Sequence, residues 1–262
     1  AGWRKKLPTA RYLMGLFDLL LTQNQQVADD LLSLGADPAR VFPSGNLKAG
    51  AAALPDSTDL LGEMRTALAG RPLWIASSTH KGEEEAVLDA HKALLQDHPD
   101  LCLFLVPRHP ERASEVADIL SEAGLSFAQR SKGETPQSAQ VWLADTLGEM
   151  ALWYGVCPVA VIAGSFKPGI GGHNPIEASR AGALVITGPH VDSFSDVYGV
   201  YDAHEARLVA ETAADIARDV LDCWQGGRLK PDAALDALNA LPNGTLPLTL
   251  SHLNRLLDQG RP

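Results

Sequence analysis

The stretch most suited to chemistry runs from Gly164 to Glu177. Four glycines (Gly164, Gly169, Gly171, Gly172) precede His173, Asn174, Pro175 and Glu177. Glycines let backbone amides approach a ligand closely, and Asn and Pro are residue types that open helices. Such a loop leading into a helix N-terminus can hold a phosphate on its N–H groups. The same spacing fits an ordinary capping box, with Glu177 folded back on the Asn174 N–H. The local sequence leaves both readings open.

Three further polar clusters each follow an apolar run that reads as a strand. Ser77-Ser78-Thr79-His80 follows Leu73–Ser77, and Pro107-Arg108-His109-Pro110 follows Leu101–Val106. Asp145-Thr146-Leu147-Gly148-Glu149 follows Val141–Leu143, and the glycine cluster follows Val159–Ala163. In an open α/β sheet the ligand lies beyond the carboxyl ends of the strands, so the four clusters predict one crevice. Each alone is weak, because strand-to-helix turns favour Ser, Thr, Asp and Pro for capping.

Charge decides which turn takes the anion. The helix after Thr79 opens with Glu83-Glu84-Glu85, which complements the helix dipole but repels a phosphate. Gly171 to Asn174 has His173 beside it and only Glu177 nearby, so the phosphate belongs there. Arg108 is the cation best suited to the same crevice, since its planar fork clasps phosphate in two bonds. A salt bridge from Arg108 to Glu111 is the competing structural role.

Alternating strands and helices must position these clusters. Helices are expected over Gly82–Gln96, Glu111–Ala123, Thr146–Tyr154 and Thr212–Trp224, and from Asn174 onward. Further strands are expected at Phe127–Arg130, Ala183–Thr187 and Leu208-Val209. Continuous apolar strands between helices predict a parallel sheet covered on both faces. Upstream lie a short strand at Leu19–Thr22 and a helix at Gln26–Leu34. Helices at Ala233–Leu241 and Leu246–Leu257 close the chain. The small residues Ala49–Ala53, followed by Pro55 and Asp56, mark a boundary. The expected segments are 1–52, 53–245 and a C-terminal helix at 246–262.

Composition excludes several functions. With 262 residues, 45% hydrophobic, 21% charged and a net charge of −10, the chain has the make-up of a globular protein and not of a general nucleic-acid binder. Cys102, Cys157 and Cys223 are far apart and suit reduced, mostly buried thiols. No apolar run reaches the roughly 18–20 residues of a membrane helix, and no signal-peptide pattern follows Ala1. The start lacks Met and opens in mid-pattern, as expected of part of a longer protein. Trp3–Phe17 mixes Arg4, Lys5, Lys6 and Arg11 with large apolar residues, which fits an anionic membrane surface or a docking helix. There is no Asp-x-Asp pair, Walker loop, complete dinucleotide fingerprint, Gly-x-Ser-x-Gly elbow or His-x-x-x-His spacing, so no metal and no cofactor are expected. Nucleotide-sugar chemistry without a metal remains.

Five ordered motifs now carry a resemblance. They are Gly45-Asn46-Leu47-Lys48, Ser78-Thr79-His80-Lys81-Gly82-Glu83-Glu84, Val106-Pro107-Arg108-His109-Pro110-Glu111-Arg112, Asp145-Thr146-Leu147-Gly148-Glu149 and Gly171-Gly172-His173-Asn174-Pro175-Ile176-Glu177. Over about Leu19–Tyr198 the chain resembles the C-terminal half of the lipid A Kdo transferases. These GT-B glycosyltransferases move 3-deoxy-D-manno-octulosonate (Kdo) from CMP-Kdo to a lipid A precursor. The resemblance implies an α/β, GT-B type Rossmann-like domain with a parallel sheet and helices on both faces. It implies that 53–245 binds the CMP-sugar and that 1–52 ends an N-terminal, acceptor-side domain.

By the same resemblance Arg108 meets the donor phosphate as the catalytic cation, and Glu177 grips the ribose. Leu147, Gly148 and Glu149 would line the cytidine pocket, and the Asn174 helix start would face the phosphate. Lys48, Ser78, Thr79, His80, His109, Pro110, Gly171, Gly172 and His173 would border the cleft. The family is inverting and metal-independent, with its acidic base in the N-terminal half, so this chain alone would be inactive. Its setting would be the cytoplasmic face of the bacterial inner membrane, with peripheral membrane contact. Two departures, Ala178 after the glutamate and Asp192-Ser193 near the cleft rim, leave the acceptor and the number of sugars open. A non-catalytic nucleotide-binding module and a GT-B-like UDP-sugar epimerase are the alternatives.

Overall fold

A computed structural model describes residues 3–45, 58–68, 70–241 and 245–259. The chain forms two compact units, one of residues 1–53 with 242–262 and one of residues 54–241.

In the first unit a 3₁₀ turn at Trp3–Lys6 leads into α1 (Leu7–Met14). Strands β1 (Leu20–Thr22) and β2 (Val41–Pro43) pair in parallel around α2 (Gln25–Ser33). The Asn24 side chain caps α2 by accepting from Val27 N at 3.0 Å, as a short polar side chain at that position should. A small core of Ala28, Ala36 and Val41 sits beneath Met14, Leu20, Leu31 and Leu32. Trp3, Leu7, Tyr12, Leu16 and Phe17 are exposed. The last helix of the chain belongs to this unit, and its His252 ring lies 4.4 Å from that of Phe42.

The second unit is built on a seven-stranded parallel sheet. Its strands are β3 (Leu73–Thr79), β4 (Cys102–Pro107), β5 (Phe127–Gln129), β6 (Val141–Leu143), β7 (Val159–Ile162), β8 (Leu184–Thr187) and β9 (Arg207–Val209), in the order β5-β6-β4-β3-β7-β8-β9. Every pair is parallel. Parallel strands need both faces covered, which explains why β3, β4 and β7 read as unbroken apolar runs. The helices are α3 (Thr58–Leu68), α4 (Glu84–Leu95), α5 (Ala113–Glu122), α6 (Met150–Val156), α7 (Ile176–Arg180), α8 (Ser195–Ala203), α9 (Ala213–Trp224) and α10 (Pro231–Ala240); α11 (Thr245–Gln259) is the first unit's last helix.

On one face Trp74, Ala76, Leu103, Leu105, Val161 and Ile186 pack against Val87 and Leu94 of α4, Val116 and Leu120 of α5, and Ile216 and Val220 of α9. On the other, the Phe104 and Trp142 rings lie 4.7 Å apart, and Trp153 of α6 stands 4.7 Å from Trp142. Removing a ring such as Phe104 from this cluster would cost about 3–5 kcal/mol, the transfer loss plus the cavity left behind.

Four helices differ from expectation. The α3 and α8 helices are absent from the sequence reading. The helix expected to start at Asn174 is the five-residue α7. The Thr146–Tyr154 helix begins only at Met150, because Gly148 is left-handed at φ +83° and breaks the first turn.

The strand order sets the position of the site. The chain leaves β3 toward β4 and returns on the far side through β7. The order therefore reverses between β3 and β7, where an open α/β sheet leaves a crevice at its carboxyl edge.

Candidate functional site

At the tip of β3 the register shifts between Ser77 and Thr79. Ser78 sits in the bulge at φ +58°, a left-handed conformation that a non-glycine residue adopts at a cost. The shift sends His80 out at the end of the strand. Its Nε2 lies 2.8 Å from Nε2 of His173, with the rings parallel within 5°. The His109 ring meets His80 edge-on, centroids 5.7 Å apart. Three imidazoles from the turns after β3, β4 and β7 thus meet at the switch point.

Arg108 belongs to the same group. Its backbone N–H donates to Thr79 O at 3.0 Å, and its side chain is exposed. Burial holds His80 below its ordinary value of 6.5; Glu83 and Glu84 oppose this, whereas His109 and Arg108 add to it. The Arg108 charge is therefore within electrostatic reach of His80. His109 Nδ1 lies 3.3 Å from Glu111, which therefore pairs with the histidine. Pro110 is half-buried at the start of a 3₁₀ turn.

The glycine loop is held by its own backbone. Gly171 and Gly172 have φ +89° and +80°. Gly172 N–H donates to Gly164 O at 2.8 Å, and Ser193 N–H donates to Gly171 O at 2.9 Å. This corrects the expectation that the Gly172 amide is bare for a phosphate: that amide closes the loop. Gly164 is left-handed at φ +70°, and a Cβ there would stand 2.6 Å from the His173 ring. Only glycine leaves His173 room to face His80. Tyr198 OH donates to His173 O at 2.7 Å. Ser193, one of the two departures, also donates its hydroxyl to Ile170 O at 3.3 Å, so the Asp192-Ser193 turn packs on this loop.

Asn174 Oδ1 accepts from Ile176 N at 3.1 Å, so the asparagine turns the chain into α7, whose N-cap position is Pro175 and not the expected Asn174. Glu177 is exposed. Its charge acts on buried Tyr154, whose hydroxyl donates to Ser77 Oγ at 2.8 Å under the tip of β3.

The remaining positions differ in how they present themselves. Thr79 is fully buried, and among the described residues its hydroxyl has no partner; its side chain does not border an open cleft. Leu147 is exposed. Glu149 is held by Arg130 through two bonds of 2.8 and 3.2 Å, and it accepts from the Thr146 hydroxyl. These bonds hold its carboxyl below the ordinary value against the opposing effect of burial. The partner of Glu149 is thus internal, and what its turn offers a ligand is the bare Leu147-Gly148 face. Lys48 lies outside the described residues. No group of three or more His, Cys, Asp or Glu is placed to hold a metal among the described residues.

Sequence reading missed Glu83, which is 1% exposed. Its carboxylate accepts from His80 N at 3.0 Å, Gly164 N at 2.8 Å and Phe166 N at 3.0 Å. Glu84 is also buried, accepting from Gly82 N and from Arg112 at 2.7 Å. Nothing in a run of three glutamates at a helix start separates these two from exposed Glu85.

No protein-family model matches the chain. Curated relatives do. A probable 3-deoxy-D-manno-octulosonic acid transferase, mitochondrial, of Arabidopsis thaliana is 40% identical over 194 residues, 72% of this chain and 43% of its own. The 3-deoxy-D-manno-octulosonic acid transferase of Bordetella pertussis is 38% identical over 230 residues, 84% of this chain and 52% of its own. Among solved structures, the C-terminal CMP-Kdo binding domain of WaaA from Acinetobacter baumannii matches with a TM-score of 0.62 and 29% identity, covering 72% of this chain and 96% of that one. A glycosyltransferase from Rickettsia africae matches with a TM-score of 0.59 at 14% identity, over 92% of this chain and 64% of that one, a likeness of fold alone. The fold is the expected GT-B type Rossmann-like one, a parallel sheet with helices on both faces. The chain belongs to the family of the 3-deoxy-D-manno-octulosonic acid transferases, spans about half the length of the curated relatives it matches, and is similar in structure to the C-terminal CMP-Kdo binding domain of WaaA.

Proposed function

We propose that this chain is the donor-binding half of a glycosyltransferase that moves Kdo from CMP-Kdo to a lipid A precursor. In this reading the 54–241 unit binds CMP-Kdo, and the first unit goes with an acceptor-side domain. The observation that carries it is the meeting of His80, His109 and His173 at the β3/β7 switch point, with exposed Arg108 in the same turn as His109. Relatives that bear the transferase name support the sugar, and the CMP-Kdo binding domain of similar fold supports the nucleotide.

Chemically, breaking the bond between sugar and phosphate leaves negative charge on CMP. Arg108 is an exposed cation in the turn after β4 and would neutralise that charge as it develops, without a metal. His80 and His173 flank the same space and supply polar N–H groups. Leu147 offers the apolar surface a cytosine ring needs, and Glu177 a carboxylate for ribose hydroxyls. Inversion at the sugar carbon would follow from a carboxylate base on the acceptor-side half, which takes the lipid hydroxyl's proton. The chain alone would then bind donor without turning over. In the intact enzyme the setting would be the cytoplasmic face of the inner membrane.

Calorimetry on this chain with CMP and with UDP tests the reading. CMP should bind, UDP more weakly, and Arg108→Ala should lower CMP affinity by about tenfold or more, the worth of one charge-assisted pair. Preference for UDP, or unchanged CMP binding by Arg108→Ala, would overturn it.

A further inference from the structure

We propose that Glu83 is the positioning residue of this site: its buried carboxylate clamps the two segments that bring His80 and His173 together. The inference rests on reading the crevice as the CMP site.

The clamp is specific in its bonds. Oε2 accepts from His80 N at 3.0 Å, in the turn after β3, and from Gly164 N at 2.8 Å, at the start of the loop after β7. Oε1 accepts from Phe166 N at 3.0 Å in that same loop. One carboxylate thus stitches the two sides of the switch point across 81 positions of sequence. From Gly164 the connection continues, because Gly164 O accepts from Gly172 N next to His173. The 2.8 Å separation of the two Nε2 atoms is set by the backbones that Glu83 holds.

A plain capping role does not account for this. Glu83 stands at the N-cap position of α4, yet its side chain makes no capping bond to that helix. Arg112 does not neutralise it, being paired with Glu84 and Glu115. A carboxylate at 1% exposure is costly unless hydrogen bonds hold its charge, and three amides from two loops do so here. The charged groups acting on His80 are Glu83 and Glu84, which favour its protonation, and His109 and Arg108, which oppose it. His173 faces it directly. Removing the Glu83 charge therefore changes His80 as well as the loop.

The test uses Glu83→Gln, with exposed Glu85→Gln as control, in this chain. Gln keeps the shape but turns an NH₂ toward at least one amide it formerly accepted from. CMP affinity should fall about tenfold or more, with the protein still folded at the assay temperature. The His80 ring should titrate at lower pH by NMR, and Glu85→Gln should change neither quantity. Unaltered CMP affinity, or an unmoved His80 titration in folded Glu83→Gln, overturns the proposal. Glu83→Asp, which keeps the charge but pulls it back by one methylene, serves if Gln does not fold; it should weaken CMP binding while shifting His80 less. Failure of both variants to fold would make Glu83 a folding residue and sink the proposal. If the unaltered chain does not bind CMP, the reading of the site fails, and the His80 titration still decides the clamp.

Discussion

His80 and His173 face each other through Nε2 atoms 2.8 Å apart. At that distance one nitrogen must donate and the other accept, so the pair tolerates one shared proton and not two. Burial, with His109 and Arg108, holds His80 below 6.5. NMR titration of the histidine rings should find the His80 midpoint under that value. Because Arg108 contributes to the lowering, Arg108→Ala should raise the midpoint toward 6.5. A midpoint unmoved by Arg108→Ala would separate the guanidinium from the imidazoles.

Under this pair lies a second, structural charge. Glu84 is fully buried and accepts from Arg112 Nη1 at 2.7 Å and from Gly82 N at 3.1 Å. Arg112 Nε reaches Glu115 at 3.1 Å, and Lys81 pairs with Glu115 at 2.8 Å. Replacing Glu84 by Ala leaves a largely buried guanidinium with the more exposed Glu115 as its remaining partner, a loss of about 1–3 kcal/mol. Urea unfolding of Glu84→Ala against the parent chain measures it. A change under about 1 kcal/mol would show that water or Glu115 takes over the pairing.

Gly188 closes the end of β8 against the start of the glycine loop. Its N–H donates to Ser165 Oγ at 2.7 Å, and His190 N–H donates to Ser165 O at 2.9 Å. A Cβ at Gly188 would overlap the Ser165 carbonyl and stand 2.8 Å from Phe166 Cα. These are backbone atoms with no rotamer to escape into. Gly188→Ala should cost about 1–3 kcal/mol in denaturant unfolding, the scale of overpacking. An unchanged midpoint would mean that the 165–170 loop yields freely.

The sheet is legible in the sequence because its strands are buried on both faces and so leave unbroken apolar runs, as in Leu101–Val106. The placement of the clusters at strand tips follows from topology alone. Two helices escape for a physical reason. In α3 the buried side chains Met64 and Leu68 are accompanied by Gly62 and threonines. In α8 the buried Val197, Tyr198 and Tyr201 surround Gly199 without a clean stripe. The internal bond of Gly172 and the burial of Glu83 are not legible at all. Both depend on which distant segment lies opposite, as the Glu83–Gly164 bond shows. Periodicity reports which face of an element is buried, and not the partner that meets it.

His91 carries a pH dependence away from the site. Trp74 Nε1–H donates to its Nδ1 at 3.2 Å, which puts the imidazole proton on Nε2, where it donates to Gln140 O at 3.0 Å. Burial lowers the ring from 6.5 to about 4, opposed by the Gln140 bond and helped by Arg71. Above pH 6.5 folded and unfolded chains are both neutral here, and His91 contributes no slope. Between 6.5 and about 4 the unfolded chain takes a proton that the folded one refuses, so stability falls with pH. The slope reaches at most about 1.4 kcal/mol per pH unit. Below about 4 both states are protonated and the slope vanishes. His91→Gln keeps an acceptor and a donor without a titrating group. Its urea midpoint should therefore fall less than that of the parent chain between neutral pH and about pH 5. Equal losses in the two proteins would assign the acid sensitivity to other groups.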